Sequence, residues 1–385
     1  MSFPSQPQLP AGSIVPTLPV VPVALPAPSL PTITPSGTFV WGNCETYVEE
    51  TLTLTCAAGV SPGSCLLTFT GDADAFEMVE RDGVIIDPPQ DCSTISDQQS
   101  RFSVAPGGST TAKFRFIPTD GAAKSATLTV TNELGASLGT FTMSGTWTDT
   151  FVIANISAGM SLYCARDISV GALSLGTRFR DMSGVLPDHI AIVPAGEWAI
   201  KSDAPIGACA SLAKCVESDT QTDWVAGATR RQITIESNLS TGAIAGFVVF
   251  KVPSYYYYVT LWMNKGNCLV EGGLNPSFGI YTSATQIALY VNDGGGFAQV
   301  NHASTAGVLF AAWRRSGGTT YHYLSAVGGA WKGLGSASSA TFQVVKGSMI
   351  YPDCTPTRVD NLMYAWGISE FDTSEADLQA IFEAM

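Results

Sequence analysis

Charge is scarce in this chain. Asp, Glu, Lys and Arg make up 13% of its 385 residues, where a soluble domain carries about 25%. The balance is acidic, with 19 Lys and Arg against 32 Asp and Glu, for a net charge of −13. The densest basic clusters are the pairs Arg230-Arg231 and Arg314-Arg315. Neutralising a phosphate backbone needs more cations on one face than that, which excludes nucleic-acid binding. Histidine is almost missing: His189, His302 and His322 stand 113 and 20 residues apart, so no His-x-x-x-His metal pair exists and each reads as structural. Long apolar runs are missing too. The best, Gly242 to Phe250, stops at Lys251 and Pro253, far short of the about 20 residues a bilayer span needs. The first residues carry no basic segment and prolines break the apolar stretch behind them, so no secretion signal is expected.

What is present points to strands. With 38 Gly and 22 Pro, good helix formers are few, yet 45% apolar residues suffice to build cores, so the chain is not a polar disordered one. Its length fits two or three domains at about 150 residues each. The expected fold class is all-β. Residues 1 to 44 hold no charge, and ten of the 22 prolines lie between Pro4 and Pro35. Eight of them, at 4, 7, 10, 16, 19, 22, 28 and 31, share a spacing of three, the repeat of polyproline II, so they form one ridge of an extended arm. Glycine does not recur every third residue, which excludes collagen. Free linkers are polar, whereas Ile14, Val15, Leu18, Val20, Val21, Leu25 and Leu30 put apolar surface on every turn. Residues 1–37 are therefore read as a Pro-rich anchoring arm that docks on other proteins, with core strands starting only after Gly37.

Residues 38–147 change to short alternating runs such as Thr51-Leu52-Thr53-Leu54-Thr55, Lys113-Phe114-Arg115-Phe116-Ile117 and Ala126-Thr127-Leu128-Thr129-Val130, separated by turns such as Pro106-Gly107-Gly108. Period two means half-buried strands, and about seven of them in roughly 105 residues fit an immunoglobulin-like sandwich. The run Phe102-Ser103-Val104-Ala105-Pro106-Gly107-Gly108-Ser109, with Phe114-Arg115-Phe116-Ile117-Pro118-Thr119, Gly121 and Ser144-Gly145-Thr146, resembles the abnormal-spindle/choice-of-anchor type of immunoglobulin-like module. These are proline turns and strand ends, so the resemblance implies fold rather than function.

Residues 148–385 hold further strands and one helix at the end, where Asp372 is the expected cap, Glu375 closes a capping box, and Leu378, Ile381 and Phe382 form the apolar face. Phe179-Arg180-Asp181-Met182-Ser183-Gly184, Phe310-Ala311-Ala312-Trp313-Arg314-Arg315-Ser316-Gly317-Gly318, and Arg358-Val359-Asp360-Asn361-Leu362-Met363-Tyr364 with the closing helix resemble the concanavalin A-like/laminin-G-like lectin fold found in many tailed-bacteriophage structural proteins. That resemblance implies a larger jelly-roll sandwich.

The chemical motifs are weak. Gly59-Val60-Ser61-Pro62-Gly63 matches the nucleophile elbow in letters, but Pro62 and a strand follow where a helix is required, so it reads as a turn. No pair of carboxylates alternates along a strand as glycosidase chemistry needs, and Asp372, Glu375 and Asp377 belong to the helix start; no enzymatic activity is expected. Asp293, in Asn292-Asp293-Gly294, is a weak metal candidate and reads first as a β-turn; no metal and no cofactor are expected. In Tyr255-Tyr256-Tyr257-Tyr258 a strand sends two rings each way, for core packing with a subunit interface or for stacking on a sugar. Nine cysteines are many for a cytosolic chain: Cys44, Cys56, Cys65 and Cys92 in the first sandwich, Cys164, Cys209, Cys215, Cys268 and Cys354 in the second. Each sandwich could be stapled internally by disulfides, and the odd one of five would stay free or join subunits.

Outside-type composition on a chain without a secretion signal fits a protein that leaves its cell inside a virus particle. The expectation is a non-enzymatic bacteriophage virion component (capsid decoration, collar or tail fibre), held to other virion proteins by the arm, oligomeric, and presenting its sandwiches to host surface glycans. The alternatives are a bacterial secreted or surface carbohydrate-binding protein and a polysaccharide depolymerase.

Overall fold

In the computed structural model the described residues are 31–59, 61–184, 189–192, 198–202, 209–218, 232–235, 244–251, 257–263, 277–282, 286–292, 297–303, 307–336, 349–350 and 362–385. The anchoring-arm residues Ile14 to Leu30, and Tyr255, Tyr256, Cys268, Asp293 and Cys354, lie outside them. Among the described residues no helix is long and apolar enough to cross a membrane.

The chain is all-β, with strands paired into four sheets. One five-stranded sheet runs in the order β1 (Ile33–Ser36), β3 (Glu49–Cys56), β8 (Ser109–Phe116), β5 (Phe76–Arg81), β6 (Val84–Asp91). The second runs β2 (Phe39–Cys44), β10 (Ser137–Trp147), β9 (Lys124–Asn132), β4 (Gly63–Gly71), β7 (Arg101–Val104). The alternation read in the sequence sets their faces: Leu52, Leu54 and Cys56 are buried while Thr51, Thr53 and Thr55 are not. Between the sheets lie Phe39, Phe76, Phe114, Phe116 and Trp147, in tilted and edge-to-face contacts 5.4–6.4 Å apart. The β5–β6 hairpin turns through Asp82 and Gly83, both at positive φ (53° and 78°), the geometry that matches the twist of the flanking strands and favours Asp-Gly.

This sandwich starts earlier than expected. β1 pairs antiparallel with β3, Ile33 opposite Cys56, and Ile33 is buried, so residues 33–36 belong to the sandwich and not to the arm. Gly63 makes room for Ile33: a Cβ there would lie 2.7 Å from its side chain. Gly63 also opens β4, so a strand follows Gly59-Val60-Ser61-Pro62, as the turn reading requires.

From Tyr163 on, strands form two larger sheets. The nine-stranded one orders β12 (Gly171–Ala172), β15 (Trp198–Ser202), β16 (Lys214–Ser218), β27 (Leu362–Ser369), β18 (Ala245–Lys251), β23 (Val308–Ser316), β24 (Thr319–Ala326) and β25 (Leu334–Ser336), with β11 (Tyr163–Cys164) also on β27. The eight-stranded one orders β13 (Arg178–Phe179), β14 (His189–Ile192), β17 (Gln232–Ile235), β26 (Met349–Ile350), β19 (Tyr257–Met263), β20 (Ser277–Thr282), β21 (Gln286–Asn292) and β22 (Phe297–Ala303). Strands β18, β23 and β27 are near-continuous apolar runs because both their faces are covered. One face carries Trp366, against which Phe179 sets its ring edge at 4.9 Å. The other carries Phe247 and Phe310, capped by Phe151 of helix α2 (Thr150–Ser157) and Phe382 of helix α3 (Glu375–Glu383), at 6.0 and 5.8 Å; a short helix, α1 (Asp97–Ser100), precedes β7. At Gly367 a Cβ would sit 2.3 Å from the Ser161 carbonyl and 2.4 Å from the Phe247 ring, so only glycine lets these layers meet.

Two further expectations are corrected. Helix α3 is capped by Ser374, whose hydroxyl accepts from Asp377 N while the Asp377 carboxylate accepts from Ser374 N; Asp372 and Glu375 do not form the box. The cysteines of the first sandwich are not staples. Cys44, Cys56 and Cys65, on β2, β3 and β4, and Cys92, just past β6, are free, buried thiols, as are Cys164 and Cys209 of the larger part, and Cys215 is buried in β16. They fill core positions as small apolar groups.

Candidate functional site: a cleft between the sandwiches

The two sandwiches meet at a built joint. Trp147 ends β10, and Asp149 then caps α2, its Oδ1 accepting from Phe151 N (3.0 Å) and Val152 N (3.2 Å). The other oxygen, Oδ2, accepts from Arg166 Nη1 (3.0 Å) and Ser211 Oγ (2.6 Å). Arg166, 7% exposed, lays its guanidinium over the Trp147 ring at 5.3 Å. One apolar cluster therefore runs from Phe116 and Trp147 through Phe151, Val152 and Met160 into Phe247. The buried cluster is thus continuous across the joint.

Beside the joint the surfaces diverge into a cleft, with one lobe of about 330 Å³ and another of about 510 Å³ sharing Tyr47, Arg115, Arg180 and Met182. Ligand clefts span about 300–1,000 Å³ and favour domain junctions. One wall is the outer face of the first sheet. There β8 puts Arg115 opposite both Glu49 and Glu77. The Arg115 side chain, 11% exposed, donates from Nε and Nη2 to Glu77 Oε2, the former at 2.9 Å, and lies over the Tyr47 ring at 4.7 Å. One step along, Lys113 donates to Glu80 at 2.7 Å. Burial, with Asp167 adding to it, pushes the Tyr47 phenol well up. Pro88, Pro89 and Ile86 extend this wall to Ile85, which is 77% exposed at the rim.

The opposite wall is the stretch 164–168 and the segment 178–184. Phe179 is buried on Trp366, and period two then turns its neighbours Arg178 and Arg180 together to the other side, into the cleft. Neither makes an ion pair or hydrogen bond among the described residues. Asp181 fixes the turn that follows by accepting from Leu162 N (2.8 Å), Ser183 N (3.0 Å) and Ser183 Oγ (2.8 Å). Burial pushes the Asp167 carboxyl up, against the pull of Arg166, Arg115, Arg180 and Lys214. The walls are thus unlike: cations hydrogen-bonded to carboxylates on one side, and on the other two guanidinium groups without such a bond among the described residues, Arg180 being within electrostatic reach of Asp167.

Of the residues singled out in the sequence, Cys164 lines the cleft, and the other described ones are placed as follows. Tyr257 and Tyr258 open β19, paired with Thr282 and Tyr281. His189, His302 and His322 sit on β14, β22 and β24, the last fully buried. Asp377 serves the helix cap. The cleft itself was missed. Its one local signal is the Arg-Phe-Arg alternation at 178–180, which overlaps the run from Phe179 whose likeness to a lectin fold implies shape alone.

No protein-family model matches the chain and no curated protein does. Among solved structures it is similar to domain 4 of AbnA, a GH43 extracellular arabinanase from Geobacillus stearothermophilus, in complex with arabinotriose (11% identity, 58% of this chain and 97% of that one, TM-score 0.36). It is also similar to the Ruminococcus gnavus IT-sialidase CBM40 bound to alpha2,3 sialyllactose (10%, 37% and 83%, 0.27) and to Trypanosoma rangeli sialidase (9%, 91% and 52%, 0.37), of which the chain spans about half the length. All three TM-scores are below 0.5, so the fold rests on the strand pairings above and not on these likenesses.

Proposed function

We propose that this chain is a non-enzymatic virion protein of the tailed-bacteriophage kind, in which the apolar proline arm anchors the molecule to other virion proteins and an immunoglobulin-like and a concanavalin A-like sandwich are presented together to a host surface glycan. The observation that carries the reading is the joint. The Asp149–Arg166–Ser211 node and the cluster through Trp147 and Phe151 hold both sandwiches and the cleft between them as one piece, immediately after a charge-free arm. A rigid, repeated display turns weak single contacts into lasting attachment. Against catalysis stands the use of the cleft carboxylates: Glu77 is bound to Arg115, and Asp181 to the backbone and hydroxyl it orders.

The test has two arms. Mass spectrometry of purified particles should find the protein in many copies per particle, and a glycan array should show binding with no shortened product. Absence from particles together with glycan binding would favour the bacterial surface protein. Product formation would favour the depolymerase.

A further inference from the structure

Resting on the glycan-binding reading above, we propose that the cleft between the sandwiches is the glycan site and that it takes a carboxylate-bearing sugar, the acid group held by Arg178 and Arg180. The argument begins with charge. In a chain of net −13 with only 19 Lys and Arg, solvated arginines normally find carboxylates nearby. Here the facing wall offers Glu49, Glu77 and Glu80, yet those acids answer Arg115 and Lys113, and Asp167 lies 3.8 Å from Arg166 Nε. Arg178 and Arg180 remain with ten N–H donors between them and a shared concavity in front. A planar guanidinium matches a carboxylate through two parallel hydrogen bonds.

The rest of the lining narrows the ligand. Glu49, Glu77, Asp167 and Asp181 together outnumber the three lining arginines by one, so a monoanion is accommodated and a dianionic phosphate or a polyanionic chain is repelled. The same carboxylates have acceptor oxygens left over, which suit a ligand rich in hydroxyl donors. One negative group among many hydroxyls describes an acidic saccharide unit. The two lobes, about 330 and 510 Å³, leave space for a flanking neutral sugar. Nothing in the Tyr255 to Tyr258 run is needed for this site.

The experiment is a titration of the full chain, by calorimetry and on an array, with oligosaccharides that each carry a single uronic acid among neutral sugars, the same oligosaccharides reduced at the carboxyl, sulfated analogues and neutral glycans. The variants are Arg178→Gln/Arg180→Gln and, as a comparison on strand β19, Tyr257→Phe/Tyr258→Phe. Expected is binding of at least one uronic-acid oligosaccharide, weakened about tenfold or more both by carboxyl reduction and by the double arginine variant, with an unchanged melting temperature and no effect of the tyrosine variant. Binding of neutral glycans alone, or equal binding of sulfated analogues, overturns the acidic-sugar inference while leaving glycan attachment standing. Acidic-glycan binding that the arginine variant leaves intact moves the site out of the cleft. Binding of no glycan at all removes the attachment reading and this inference with it.

Discussion

Asp149 joins two jobs at one carboxylate: it caps α2 and holds the buried Arg166. Arg166 Nη2 has no hydrogen-bond partner, so its charge depends chiefly on Asp149 at 3.0 Å, with the more distant Asp167 at 3.8 Å and the Trp147 face beside it. Removing one partner of a buried pair leaves the other charged and dry, at a cost of about 3–5 kcal/mol. Asp149→Ala should therefore lower unfolding stability by about that much in urea titration, and Asp149→Asn, which keeps an oxygen for the cap, by clearly less; equal losses would mean that the cap and not the ion pair carries the joint. The thiols make a second residue-scale prediction. Burial raises Cys44, pushes Cys65 up to about 11 and Cys164 up to about 12, from an ordinary value of 9.0. The folded state thus keeps protons that the unfolded chain releases above pH 9, so the stability due to these neutral thiols is complete below pH 9 and is lost as pH rises through 11 to 12. Melting temperature should fall steeply above pH 9 in the wild type and less steeply in a Cys65→Ala/Cys164→Ala variant, and native thiols at pH 8 should resist alkylation that proceeds at once in urea. Rapid labelling of the native protein at pH 8 would show these cysteines to be accessible.

Among the elements, strands with one wet face were the legible part. Thr51 to Thr55 and Ala126 to Val130 alternate because one side meets the core and the other water, and they pair as the alternation requires. The strand at Ile33–Ser36 was hidden by its two prolines' neighbourhood and its absence of charge, which made it look like more arm; only its pairing with β3 reveals it. The helix cap illustrates a different limit. Asp372 with Glu375 and Ser374 with Asp377 both offer a capping residue and an acid three places on. The choice is made by the turn that precedes the helix, because Ser369 Oγ accepts from Phe371 N (3.1 Å) and Thr373 is buried, so the chain is still turning at 372. Ser374→Ala should accordingly cost about 1 kcal/mol and Asp372→Ala less than about 0.5 kcal/mol, as read by thermal melts; the reverse order would restore the cap to Asp372. The cleft was illegible for a simpler reason. Arg115 and Arg180 are 65 positions apart, and their meeting depends on how the Trp147–Phe151 joint sets one sandwich on the other.

At the scale of the whole molecule, the arm and the sandwiches separate at a definable residue. The ladder of β1 on β3 begins at Ile33, whose side chain closes the end of the first core above Gly63. A chain lacking residues 1–31 keeps that ladder and should melt at the wild-type temperature. A chain lacking residues 1–36 loses the four-residue edge strand, exposes the flank of β3 and leaves a cavity where Ile33 sat. Burial of one Ile alone is worth about 2–5 kcal/mol when it is truncated, and an uncovered edge invites pairing with another chain, so this variant should melt several degrees lower and aggregate. The two truncations therefore divide stability from anchoring. If the arm docks the protein on a particle, both fail to be incorporated, although only the longer one is destabilised. Incorporation of the chain lacking residues 1–31 at the wild-type level would place the anchor within the sandwiches, and equal melting of all three chains would show that β1 adds nothing to the fold.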